Sequence, residues 1–156
     1  MRTNDDITWK VDPSGEYRPF TWAKVGDELI MTLSQAGPIP DEIFDDYLAD
    51  LRSLRGRRLL GTAIGSIDVT ASQRKAASDI MKGWAVAIIT DSAVARGVAT
   101  ALKWLGLNIR GYNWSDVETA ITNLAVPGWE VQRLVHVLDE LTQRSGGRTL
   151  GEVRYY

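Results

Sequence analysis

Residues 84–90 read Trp-Ala-Val-Ala-Ile-Ile-Thr and contain an unbroken apolar run from Ala85 to Ile89. Such a run, without polar interruption, is typical of a parallel strand that is covered on both faces. Helix-patterned segments flank it, one over 70–82 and the other over 91–106. The alternation predicts an α/β fold in which helices pack against a buried sheet.

The same alternation continues towards the N-terminus. Two β-favouring runs, 20–25 and 28–34, are joined by Gly26-Asp27 and predict an opening β-hairpin. A helix is expected over 41–55 because its apolar residues recur at helical spacing, and a strand is expected over 57–65.

Towards the C-terminus, a short strand is expected over 107–112, and Ser115–Glu118 has the pattern of a capping box that opens a helix. After Pro127-Gly128, a last helix is expected over 129–143, with an apolar stripe. The order β-β-α-β-α-β-α-β-α, followed by this extra C-terminal helix, predicts a single-domain mixed β-sheet with packed helices.

These patterns divide the chain into three parts. Residues 1–18 are polar and predict a weakly ordered lead-in, within which 7–11 can form an edge strand. Residues 19–126 form the α/β domain. Residues 127–156 supply a helix and tail that pack either on the domain or on a second subunit. In the second case, a homodimer would form through the apolar stripe of Leu134, Leu138 and Leu141.

Composition narrows the class of protein. The chain has 156 residues and no cysteine, which excludes a disulfide-stapled scaffold and thiolate metal sites. The N-terminus lacks the apolar core of a signal peptide, and no apolar run approaches the length that spans a membrane. We therefore expect a cytoplasmic protein without membrane insertion.

Charge is unevenly distributed along the chain. Residues 1–50 carry 11 acidic and 4 basic side chains, whereas residues 51–110 carry 3 acidic and 10 basic side chains. The densest basic patch consists of Arg52, Arg55, Arg57 and Arg58. We interpret Arg52 and Arg55 as favouring the C-terminus of the preceding helix and pairing with its acidic residues. The alternative is a surface for phosphate groups, but the interleaved aromatics of a single-strand binding platform are missing, so no nucleic acid partner is expected.

Residues that usually reveal catalysis are few. The single histidine, His136, is interpreted as a helix-surface residue, and no nucleophile is paired with it by pattern. The glycine-rich segment 61–66 lacks the lysine and spacing of a phosphate loop. An acidic group at the start of one helix is interpreted as its solvated outer face, with a cation site or a partner surface as alternatives: Asp41, Glu42, Asp45, Asp46 and Asp50. We expect no enzyme activity, no metal and no cofactor.

The chain contains six tryptophans, which is many for its length. Most are expected in the core, with Trp9 and Trp114 the most exposed. This composition supports one functional hypothesis, a small-molecule or lipid pocket between the sheet and its helices.

The element order, the small-residue helix after 86–90 and the loop 65–72 resemble the STAS domain. This module is shared by anti-sigma-factor antagonists and sulphate-transporter tails, and the closer resemblance is to small bacterial STAS-like proteins. It covers about 22–126. The resemblance implies a non-catalytic regulatory or adaptor module that works by binding another protein.

In the STAS family, the loop leads into the helix used for partner recognition. Regulated members have Asp-Ser-Ser/Thr-Gly there, and the serine after the aspartate is phosphorylated. Asp68 matches that aspartate, but Val69 occupies the acceptor position and Ala71 replaces the glycine. The remaining candidate phosphoacceptors are Thr70, Ser72 and Ser66, although Thr70 and Asp68 are equally well explained as helix caps. The partner-binding residues implied by the resemblance are Ser66, Asp68, Thr70, Ser72, Gln73, Arg74 and Lys75.

Overall fold

The computed structural model describes residues 6–12, 18–65, 68–91 and 107–146, together with the single positions 97 and 103. Its strands are β1 (Ile7–Lys10), β2 (Phe20–Val25), β3 (Leu29–Ser34), β4 (Arg58–Ala63), β5 (Ala85–Ile89) and β6 (Asn108–Tyr112). Its helices are α1 (Asp41–Ser53), α2 (Ala71–Ile80), α3 (Val117–Leu124) and α4 (Val131–Gly146). A short 3-10 helix over Trp114–Asp116 precedes α3.

All six strands belong to one mixed sheet, ordered β1-β2-β3-β4-β5-β6. The first three strands are antiparallel, and β3 to β6 are parallel. The β2–β3 connection has three residues rather than the expected two, because Val25 pairs with Leu29. Gly26 adopts a positive φ of 52°, and its amide donates to the Asp6 carbonyl at 2.7 Å. The predicted opening hairpin and mixed α/β fold are confirmed.

Helices cover both faces of the sheet. α1 and α2 pack on one face, and α3 and α4 pack on the other. The side chains of β5 contribute to the cores on both faces of the sheet. Val86 packs under α1 and α2, whereas Ala87 and Ile89 pack under α3 and α4. The side chains of this strand belong alternately to the two cores, which confirms the expectation of a strand that is covered on both faces.

α1 is attached to the sheet by an aromatic cluster. Ring centroids in the cluster lie between 4.8 and 6.0 Å apart, and the members are Phe20, Trp22, Phe44 and Tyr47. Burial raises the pKa of the Tyr47 hydroxyl. The Trp22 indole N–H donates to Asp50 Oδ2 at 2.8 Å, so Asp50 is a structural acceptor. The other four acidic residues of α1 are exposed, as expected of a solvated outer face.

α4 packs on the sheet of its own chain. Leu134, Leu138 and Leu141 are 1%, 0% and 0% exposed within the core that α3 and α4 share with the sheet. The C-terminal end of α4 is held by a hydrogen bond of 2.6 Å between the buried hydroxyls of Thr21 and Ser145. The proposed dimer face is therefore wrong, because these leucines are already covered within the monomer.

Trp114, one of the two tryptophans expected to be the most exposed, is buried. It is 2% exposed, and its indole N–H donates to the Ala63 carbonyl at 3.0 Å. The 3-10 turn that contains it also displaces the predicted capping box, since α3 starts at Val117 and Asp116 makes no side-chain cap bond. Trp9 is half-buried, with the Arg144 guanidinium carbon 4.5 Å from its ring centroid.

The helix predicted over 91–106 lies almost entirely outside the described residues. The two described positions within it, Gly97 and Lys103, are helical and exposed. Among the helices that the structure describes, none combines the length and the apolar character needed to cross a bilayer.

Replacing Leu138 with alanine is expected to lower the free energy of unfolding by about 2–5 kcal/mol, because the truncation leaves a cavity in the core. Urea denaturation measures this loss. The matched control is His136→Ala on the exposed side of the same helix, for which a change within about 0.5 kcal/mol is expected. A loss of less than about 1 kcal/mol for Leu138→Ala would contradict the packing of α4 on the sheet.

Candidate functional site

The loop singled out by the sequence lies at the carboxyl edge of the parallel strands. β3 ends at Ser34 and β4 ends at Ala63, and since the strands are parallel, both ends meet the same edge. The chain then leads into α1 and α2, which pack against each other on one face. The starts of these two helices are therefore neighbours, in the region where open α/β sheets commonly carry their binding sites.

The buried side chain of Gln73 connects the starts of α1 and α2 by hydrogen bonds. Its side-chain Oε1 accepts a hydrogen bond from the backbone N–H of Thr70 at 3.1 Å. The backbone N–H of Gln73 in turn donates to Thr70 Oγ1 at 3.1 Å, which completes a capping box. Its Nε2 donates to the Ile39 carbonyl at 2.9 Å and to Asp41 Oδ1 at 3.2 Å. Gln73 is only 5% exposed, so its side chain supports the surface rather than forming part of it.

This bridging role was not predicted, and the sequence contains a signal only for the bonds between Gln73 and Thr70. Thr70-Ala71-Ser72-Gln73 has the threonine–glutamine spacing of a capping box. That pattern identifies the bonds within the start of α2. It contains no information about Ile39 or Asp41, which lie more than thirty positions away and are brought to Gln73 by the packing of α1 on α2.

Asp68 forms a second tether between the loops. Its Oδ2 accepts from the Gly37 amide at 2.8 Å, so the carboxylate connects the loop before α2 to the loop before α1. Gly37 has a φ of +122°, a conformation that favours glycine. The expected capping role therefore belongs to Thr70, whereas Asp68 fixes the spacing of the two loops.

Of the predicted partner-binding residues, Asp68 is exposed in the loop and four more are exposed at the start of α2. We call them the α2 surface: Thr70, Ser72, Arg74 and Lys75. The Thr70 hydroxyl is used as the helix cap, while Ser72 stands at the second position of the helix. The first turn of α2 contains no acidic residue, so the positive end of its dipole is not offset by its own side chains. Ser66 lies outside the described residues.

The charge of the α2 surface is set by two cations. The Lys75 ammonium lies 2.9 Å from Asp79 Oδ2, one helical turn further on. This hydrogen bond and the opposite charge raise the pKa of Lys75 and lower the pKa of Asp79. Arg74 is also exposed, and its guanidinium is 3.5 Å from the Val69 carbonyl. The surface therefore presents two positive charges, one of them partly offset.

The basic patch 52–58 lies at the other edge of the sheet, where β4 begins. Arg58 donates to the carbonyls of Leu124 and Gly56 at 2.8 and 2.9 Å. Arg52 lies in the last turn of α1, as its expected interaction with the helix dipole requires. Its expected pairing with the acidic residues of α1 is wrong, since neither Arg52 nor Arg55 forms an ion pair within the described residues.

The other candidates for chemistry have structural explanations. His136 is exposed on α4, as expected. At Gly61, an added Cβ would lie 2.7 Å from Ile88 Cδ1, so this glycine allows close packing of β4 against β5. Across the described part of the chain, no three histidine or acidic side chains are grouped so that they could hold a metal ion.

Comparison with known proteins gives no match: no family model, no curated protein and no solved structure is significantly similar to this chain. The description of the site therefore depends on its own geometry. That geometry consists of two helix starts tied together by Gln73 and Asp68, with the α2 surface exposed beside them.

Replacing Gln73 with alanine is expected to cost about 1–3 kcal/mol, because it leaves the Ile39 carbonyl and the Thr70 amide without their partners. Thermal or urea unfolding gives the loss, and hydrogen exchange at residues 70–75 should become faster. The neighbouring exposed variant Ser72→Ala is the control and is expected to change stability by less than about 0.5 kcal/mol. Equal effects from the two variants would contradict the bridging role.

The pKa of the Asp79 carboxyl is expected to lie below the ordinary aspartate value of about 3.9 and to rise towards it in Lys75→Gln. Because the pair lowers the folded pKa, its contribution to stability is present above the ordinary pKa and is lost as the pH falls through the folded value. Carboxyl-detected NMR titration measures the pKa directly. Lys82→Gln serves as the control with a smaller effect, since the Lys82 ammonium is 3.8 Å from Asp79. An unchanged pKa in Lys75→Gln would show that the pair does not form in solution.

Proposed function

We propose that the protein is a non-catalytic, STAS-like regulatory or adaptor module that binds another protein through the α2 surface. The observation that carries this proposal is that hydrogen bonds from the loops and from α1 hold the exposed, positively charged start of α2 in place. Gln73 and Asp68 hold the backbone on which Ser72, Arg74 and Lys75 are presented to solvent. A surface that is ordered before binding loses less conformational entropy when a partner docks.

The order of the elements also supports the STAS-like assignment. A hairpin leads into consecutive parallel strands, and the loop compared with the STAS recognition loop connects β4 to α2. In that position the loop precedes the helix that carries the exposed charges.

The expected partner presents acidic groups to α2. Arg74, Lys75 and the positive end of the α2 dipole favour negative charge at this place. The adjacent start of α1 has the opposite character, since Asp41 and Glu42 are exposed there. A partner with acidic groups opposite α2 and basic groups opposite α1 is therefore favoured, and the reversed arrangement is disfavoured by like-charge contacts.

Ser72 is the phosphoacceptor that best fits this surface. It is exposed, whereas the Thr70 hydroxyl is already bonded to the Gln73 amide. A phosphate at Ser72 would be compatible with the helix N-terminus and would add a charge of about −2 beside Arg74 and Lys75. Phosphorylation would therefore neutralise the surface and release an acidic partner.

The test is affinity capture from the native host lysate with wild type and the double variant Arg74→Glu/Lys75→Glu. The proposal predicts a protein that is recovered by wild type and lost with the variant, because the variant reverses the charge that the partner reads. The matched control is Arg52→Glu/Arg55→Glu, the same charge change at exposed positions on the opposite edge of the sheet. The control should retain the partner. Circular dichroism must show that both variants are folded.

The captured protein is then purified and its affinity for each variant is measured by calorimetry. Binding should weaken at least about tenfold in Arg74→Glu/Lys75→Glu and in Ser72→Glu, and it should stay unchanged in Ser72→Ala, following the electrostatic argument. Recovery of no specific protein, or equal loss in both charge-reversal variants, would refute binding through the α2 surface.

A further inference from the structure

A second feature lies on the opposite face of the sheet, beside the edge strand β6. Ile109 belongs to the core under α1 and α2, so its neighbours Asn108, Arg110 and Tyr112 face the side of α3. Arg110 lies next to Ala87 in the register of β5 and β6, and Asn108 lies next to Ala85. The strand thus presents polar side chains on the face where the inner strands present apolar ones.

An open cleft of about 140 Å³ lies between β6 and α3. Its lining includes three alanines, Ala85 and Ala87 on β5 and Ala120 on α3, together with Leu124. The short side chains of the alanines leave space that a valine or leucine at the same position would fill. Ala85 is half-buried, whereas Ala87, Ala120 and Leu124 are 3%, 0% and 5% exposed, so Ala85 supplies most of the apolar surface that a ligand can reach on this floor. One side of the cleft is open to solvent.

Hydrogen-bond donors stand around this floor. Arg110 is exposed and has no ion pair or hydrogen bond to any residue that the structure describes. Asn123 Nδ2 donates to the Tyr112 hydroxyl at 2.9 Å, which leaves the hydroxyl proton available for another acceptor. None of the described residues that line the cleft is acidic, so the cleft favours a negatively charged ligand.

We propose that this cleft binds a small organic carboxylate with a short apolar chain. The guanidinium of Arg110 can hold a carboxylate through two parallel hydrogen bonds, the Tyr112 hydroxyl can donate a third, and the chain lies on the alanine floor. An isolated cation on an edge strand can also serve to oppose strand pairing. That role requires neither the alanine floor nor the amide–hydroxyl pair.

The size of the cleft limits the ligand. A volume of about 140 Å³ holds four or five water-sized volumes of ~30 Å³. Butyrate, with six non-hydrogen atoms, therefore fills the cleft and reaches its open side. A single arginine offsets one negative charge, which favours a monocarboxylate over inorganic phosphate. The cleft lies across the sheet from α2, and this proposal is therefore independent of partner binding through the α2 surface.

The test is an NMR titration of the full chain with butyrate. Saturable shifts are expected at the methyl group of Ala85, with smaller shifts at the buried methyl groups of Ala87 and Ala120 behind it. The expected dissociation constant is on the order of 1 mM for so small a ligand. Arg110→Gln should weaken binding at least about tenfold, as the loss of a charge-assisted pair requires. Arg55→Gln removes an exposed arginine that forms no ion pair with the residues described here, and it should leave binding unchanged.

A further variant and two further ligands distinguish the contribution of the apolar floor to binding from the contribution of the charge. Ala85→Val should weaken binding because it fills the cleft, and valine suits a strand, so the fold should be retained. Acetate and the neutral analogue butyramide should both bind more weakly than butyrate. The proposal is overturned by the absence of saturable shifts up to about 50 mM ligand, by equal weakening in Arg110→Gln and Arg55→Gln, or by phosphate binding as tightly as butyrate.

Discussion

The burial of both faces of the parallel strands is the constraint on which the rest of the structure depends. Because β3, β4 and β5 follow one another across the sheet, the crossovers α1 and α2 both pack on one face. Within the described residues, the other face is covered by α3 and α4, which follow β6. The C-terminal helix is thus part of the core, and its leucine stripe is covered within the monomer.

The same topology builds the candidate site. Parallel strands bring the starts of α1 and α2 to one edge, and Gln73 uses a single buried amide to satisfy groups from both helix starts. A buried amide is costly without partners, so these bonds favour one arrangement of the two helix starts. The exposed charges of the α2 surface therefore stand on a backbone whose position is set by the core.

The limited width of the second helical layer accounts for the cleft. α3 has eight residues and packs on β5. It therefore covers the neighbouring strand β6 only in part, and at this margin the polar side chains of β6 on that face stay partly open to solvent. Arg110 at this margin and Arg74 on α2 lie on opposite faces of the sheet. A protein ligand at one face and a small anion at the other could therefore bind without competing for the same groups.

The sequence by itself determined the alternation of strands and helices over the described residues, the run 85–89 as an inner strand, and Thr70 as one of two cap candidates. Periodicity and capping are local properties of the chain. Only the tertiary structure decided which surfaces meet. It buried Trp114 beneath the end of β4, turned the leucines of α4 onto the sheet, and gave Gln73 its partners near residue 40. These outcomes depend on contacts between segments far apart in sequence, and an apolar stripe or a glutamine looks the same in the sequence whichever surface it meets.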